Sequence, residues 1–147
     1  MSKSWISGRV LAELEGQSGV FRNVYDVDDA SLLDKLHAVE SVVFGPLFNQ
    51  PVPNLPNTLT SLTFGDSFDQ PVSNLPNTLT SLTFGWQFNQ LVLNLPNTLT
   101  SLTFGNSFNQ PVSNLPNTLT SLTFGDCFHQ PLPNLPNTRI THFWVTF

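Results

Sequence analysis

Few side chains in this sequence could carry chemistry, and they do not converge. Asp126, Cys127 and His129 lie within one short stretch, the neighbourhood in which a thiol nucleophile would meet a base. No third group follows that would orient the histidine, and all three fall at variable outward positions. They are read as surface variation, and no catalytic residue is assigned. Cys127, His129 and His142 offer sulfur and nitrogen to a metal, yet their spacing matches no standard ligand set. Asp66 and Asp69 share a repeat, but two exposed carboxylates do not make a cation site. Asp66 and Asp126 sit three repeats apart, about 14 Å at the strand spacing, too far for an acid–base pair. The expectation is a chain with no enzymatic activity, no metal and no cofactor.

What must position these residues is a repeat. Residues 48–147 hold five copies of one 20-residue unit, starting at Phe48, Phe68, Phe88, Phe108 and Phe128. The cleanest copy, FNQPVSNLPNTLTSLTFGDC, runs from Phe108 to Cys127. A fixed short period signals a solenoid, because no single coil can bury its own apolar side chains and the stack becomes the domain. The expected fold is mainly β, with short parallel strands joined by turn or 3-10 segments.

Each coil divides into three pieces. Ser61-Leu62-Thr63-Phe64 alternates with period two, which predicts a short strand with Leu62 and Phe64 inward and Ser61 and Thr63 outward. Gly65 then suits a sharp turn out of the strand. The second piece, Phe48 to Val52, alternates as well. It places Phe48, Gln50 and Val52 inward and Asn49, Pro51 and Pro53 outward, extended but only partly hydrogen-bonded because of Pro51. An inward glutamine needs a partner, so Gln50, Gln70, Gln90, Gln110 and Gln130 are expected to form an internal amide ladder. The third piece, NLPNTL, turns the chain back, with Pro56 fixing φ for the first position of a turn. Leu55 and Leu59 complete the core, and two phenylalanine columns should run the length of the stack.

The ends depart from the pattern. Residues 28–47 read as a degenerate first repeat in which Leu36, Val39, Val42, Phe44 and Gly45 take the positions of Pro56, Leu59, Leu62, Phe64 and Gly65. Asp28 or Asp29 is expected to cap a short helix running through Leu36. Residues 1–27 carry apolar side chains, among them Trp5, Val10, Leu11 and Phe21, that suit an N-terminal cap. In the last coil Arg139 reads as one inserted residue, after which Ile140, Phe143 and Val145 resume the core spacing.

Charge is scarce and uneven. Eleven of the fifteen charged residues precede residue 48, and the net charge is −5. With no Lys/Arg cluster, the basic footprint that nucleic acid requires is missing. No basic amphipathic helix or 18-residue apolar span suggests membrane contact. Arg9 and Glu13 interrupt the opening apolar residues, so no signal peptide is read. The single cysteine gives no disulfide framework. These features point to an intracellular protein.

The elements LPNTLTSLTFG and FNQPV resemble the FNIP repeat, a short relative of the leucine-rich repeat frequent in slime moulds and giant viruses of protists. The likeness covers residues 48–138 closely and 28–47 loosely, with units about two residues shorter than the usual FNIP unit. It implies a right-handed coil, a protein-binding role and, for a viral protein, the host cytoplasm. Relatives often couple such repeats to an F-box and hence to ubiquitin ligation. The first 47 residues lack the leucine-proline opening of an F-box, so that role stays a minor alternative.

Three surfaces are candidates for binding. One coil carries Trp86 and Gln87 where others have Asp, Asn, Ser or Cys, and Leu91 and Leu93 where others have Pro or Ser. Clustered exposed apolar residues rimmed by polar ones resemble an interface core. Trp86, Gln87, Leu91 and Leu93, with the variable Asp66 and Asp126, are therefore the expected site for a protein partner, such as a host protein, or for a second copy of this chain. The constant columns Ser61, Ser81, Ser101, Ser121 and Thr63, Thr83, Thr103, Thr123 form a regular array, whose alternative use is a periodic surface such as ice. Finally, Phe143, Trp144, Val145 and Phe147 make an uncharged aromatic edge strand, the kind that pairs with another chain. It is the expected seat of a homodimer, and self-association is an alternative role.

Overall fold

The alternation of Ser61, Leu62 and Thr63 folds as its spacing requires. In the computed structural model, which describes residues 23–27, 39–52 and 55–142, Leu62 is buried between two half-buried hydroxyl residues. Seven strands follow in chain order: β1 (Asn23–Val27), β2 (Ser41–Phe44), β3 (Ser61–Thr63), β4 (Ser81–Thr83), β5 (Ser101–Thr103), β6 (Ser121–Phe124) and β7 (Arg139–His142). They form one sheet in sequence order, and each neighbouring pair is parallel. From β2 to β6 the register advances by one 20-residue repeat per strand, with Ser41, Ser61, Ser81, Ser101 and Ser121 side by side.

The two ends shift this register. β1, which falls in the stretch read as a cap, pairs with β2 and sets Asn23 beside Ser41. At the other end Arg139 lies beside Ser121 and Ile140 beside Leu122. The last coil is therefore shortened, and Arg139 is no insertion: Ile140 takes the column of Leu62, not that of Leu59. Its cover is incomplete, since Ile140 is 40% exposed where Leu122 is fully buried. The expected helix through Leu36, residues 1–22 of the expected cap and the edge residues Phe143–Phe147 lie outside the described residues.

Two columns of phenylalanine fill the core. Phe64, Phe84, Phe104 and Phe124 follow the strands, and Phe68, Phe88, Phe108 and Phe128 stand beside them, all buried. Within a coil the two rings stack with centroids 3.8 Å apart, as for Phe84 and Phe88. Between coils, the strand-side column advances by 5.4 to 5.5 Å and the outer column by 6.0 Å. Both exceed the roughly 4.8 Å between paired strands, so the coils fan apart from the sheet outward and the sheet lies on the concave side. Val39, Val42 and Phe44 are buried too, continuing the core into the degenerate repeat.

Gly65, Gly85, Gly105 and Gly125 serve a different purpose from the one expected. Among the described residues no glycine has positive φ, so the turn does not need their conformational freedom. A Cβ on Gly85 would instead overlap the Gly65 carbonyl oxygen and fall 2.7 Å from the Asp66 Cα. The column is glycine because successive backbones touch there.

The glutamine column also differs from the expectation. Gln70, Gln90, Gln110 and Gln130 are half-buried and bond to the preceding coil's Asn or Asp rather than to one another. Asn49 Oδ1 accepts the Asp69 N–H and Gln70 Nε2–H at 3.0 and 3.1 Å. Asp69 does the same for Asn89 and Gln90, Asn89 for Asn109 and Gln110, and Asn109 for His129 and Gln130. The reason is geometric: without a backbone ladder along this segment, amides are satisfied by a side-chain acceptor one coil away. Asn109→Ala should therefore cost about 0.5–1.5 kcal/mol by removing an acceptor shared by two donors. Asn109→Asp, which copies Asp69, should stay within about 0.5 kcal/mol; urea unfolding midpoints measure both. Equal effects would remove the acceptor role.

Threonines bind the opposite side of each coil. Thr78, Thr98 and Thr118 donate their hydroxyls to the Leu59, Leu79 and Leu99 carbonyls at 2.7 to 2.8 Å. Thr80, Thr100 and Thr120 donate theirs to the carbonyls of Thr60, Thr80 and Thr100. The Pro56–Leu59 turn leads into this segment, closed by the Leu59 N–H on the Pro56 carbonyl at 3.0 Å.

Candidate interaction surface

Three of the five exposed large apolar side chains among the described residues gather in one coil, the others being Leu47 and Ile140. Trp86 is 59% exposed, Leu91 51% and Leu93 57%. The equivalent residues Pro71, Ser73, Pro111 and Ser113 are exposed as well, so these columns face solvent in neighbouring coils and only the chemistry changes. Val92 between the two leucines is buried, which confirms the alternation across this segment. Gln87 is exposed beside Trp86, its N–H bonded to the Asp66 carbonyl at 2.9 Å.

Leu91 and Leu93 line a groove of about 620 Å³ together with Pro71, Val72 and Leu75 of the preceding coil. Asn74 and Asn94, also on its wall, adopt left-handed φ of 59° and 57°, a conformation that asparagine tolerates better than most residues. Trp86 is not among the lining residues. It projects from the Gly85–Phe88 turn, in a column where side-chain oxygens otherwise link coils. Asp66 Oδ1 accepts the Trp86 N–H at 3.4 Å and Asn106 Oδ1 accepts the Asp126 N–H at 3.0 Å. Indole has no oxygen with which to receive the Asn106 N–H, so Trp86 interrupts that ladder.

The other candidates separate. Asp69 is held in the asparagine column while Asp66 binds the Trp86 N–H, so the two carboxylates serve different ladders. Asp126 is linked to Asn106 and stands in its own coil. Cys127 is exposed, and His129 Nδ1 lies 2.7 Å from the Cys127 carbonyl oxygen. A carbonyl only accepts, so this nitrogen carries the proton and is turned to backbone. Among the described residues, no three of His, Cys, Asp and Glu group as a metal site would require. The Ser61 and Thr63 columns are half-buried, while the hydroxyls that hold the coils together belong to the Thr58 and Thr60 columns. Their recurrence in copy after copy was the available signal.

FNIP Repeat is the family that matches, over residues 48–87, 72–107 and 88–127. The chain belongs to the FNIP-repeat family. It is a leucine-rich-repeat-type solenoid scaffold, and its FNIP units are the coils described above. It is similar to the crystal structure of CroV588, a giant-virus protein described as a novel circular LRR protein, with a TM-score of 0.66 and 43% identity. That likeness covers 81% of this FNIP chain and 19% of CroV588, so the chain spans about a fifth of that protein's length. No curated protein matches it. Among the described residues no helix is long and apolar enough to cross a membrane.

Proposed function

We propose that this FNIP-repeat chain is a non-enzymatic scaffold that binds a protein partner through its odd coil, inside a host cell. One observation carries the reading: among the described residues the exposed large apolar side chains are Leu47, Trp86, Leu91, Leu93 and Ile140, and three of these five belong to a single coil. Tryptophan is enriched among the residues that dominate binding energies, and here it replaces a side chain that would link two coils. Gln87, with Asp66 one coil away, supplies polar groups next to it. The non-enzymatic part rests on the dispersal of the carboxylates and on His129 being turned to a carbonyl.

The test uses substitutions that restore the residues of neighbouring coils. Trp86→Asn with Leu91→Pro should keep the fold, and Trp86→Asn alone should add about 0.5–1.5 kcal/mol by giving the Asn106 N–H an acceptor. A partner captured from protist lysate by the wild-type chain should be lost by the double variant, a weakening of at least about tenfold. Retention within a factor of about two would place the binding site elsewhere.

A further inference from the structure

We propose that two copies of this chain pair about a two-fold axis at the odd coil, each inserting Trp86 into the other's groove beside Leu91 and Leu93. The proposal rests on the reading that this coil is a binding site, and it names the occupant. Trp86 stands 59% exposed outside the lining of the groove, so a chain leaves its own groove unfilled. The groove, about 620 Å³, mixes apolar walls of Val72, Leu75, Leu91 and Leu93 with uncharged polar groups, among them Asn89, Gln90 and Gln110, and has no charged lining residue. A neutral indole fits such a site, because no ionised group need lose its water.

Knob and groove arise in the same coil, although they occupy separate columns of the repeat. In a two-fold contact residue i meets j and j meets i, so one knob and one groove, offset from each other, complete two identical contacts. A single interface thus accounts for both departures. The exposed parts of the three side chains amount to on the order of 300 Å² per copy. Doubled, this falls short of the roughly 1,200 Å² of stable complexes, so the dimer is weak and concentration-dependent.

Sedimentation of the full chain across micromolar to millimolar concentration tests this. The wild type should pass from monomer to dimer. Trp86→Asn, which removes the knob, and Leu91→Pro with Leu93→Ser, which empties the groove wall, should each weaken association at least about tenfold. Mixing the two variants should restore it in part, because the second keeps its tryptophan and the first keeps its groove. A monomer at every concentration overturns the proposal, as does a dimer indifferent to either change or a mixture that fails to associate. The binding of a different protein is read separately by lysate capture and can survive each of those outcomes.

Discussion

Phe84→Ala should lower the unfolding free energy by about 3–5 kcal/mol, the range for emptying a large aromatic site in a core. Phe84 is 1% exposed and stacks on Phe88 at 3.8 Å, Phe64 at 5.4 Å and Phe104 at 5.5 Å. Four rings thus meet at this point, and removing one leaves a cavity that rigid neighbouring coils cannot close. The position matters as well as the volume. A solenoid is held by contacts between adjacent coils, so a defect at its centre weakens the junction on both sides. Chemical unfolding followed by far-UV circular dichroism should show an earlier midpoint and a broader, less cooperative transition. A loss below about 1 kcal/mol would mean that the stacked columns are not the main source of cohesion.

Gly85→Ala is expected to cost about 3 kcal/mol or more, at the upper end for overpacking, although it adds one methyl group. That methyl would overlap the Gly65 carbonyl oxygen and meet backbone atoms, with the Asp66 Cα at 2.7 Å. Backbone cannot rotate away as a side chain can. Relief requires the two coils to separate, and separation lengthens the Thr80 N–H bond to the Thr60 carbonyl, now 2.9 Å. Trp86→Asn, one residue along, should be stabilising, which makes the pair an internal control. Thermal melts of the two variants measure the contrast. A Gly85→Ala protein within about 1 kcal/mol of wild type would show that the coils do not touch there.

The strands and phenylalanine columns were legible because period-two alternation has one meaning where a backbone ladder exists. The same alternation misled beyond the ladder. Gln70 to Gln130 occupy nominally inward positions, yet a polar side chain on an unladdered segment turns to the nearest acceptor, the Asn49 column, and Gln50 is exposed. Gly65 invited a reading from conformational freedom because intercoil distance is invisible in one repeat. The shift at Arg139 was equally hidden, since Ile140 could serve either of two leucine columns until Leu122 was found beside it. Of the candidate surface, exposure followed from comparing copies. That Leu91 and Leu93 share a groove with Val72 while Trp86 stands outside it depends on the path between coils, which spacing does not encode.

The fanning of the coils gives their number a particular meaning. Each coil is a wedge, thinner at the strand than at the outer phenylalanine, so a stack of them describes an arc of constant radius. Adding or deleting a coil changes how far round that arc the protein reaches and leaves its curvature alone. A surface that fits one stretch of the inner sheet would fit any other equally well. In such an architecture duplication alters valency without altering shape, and selectivity has to come from a coil that breaks the rule.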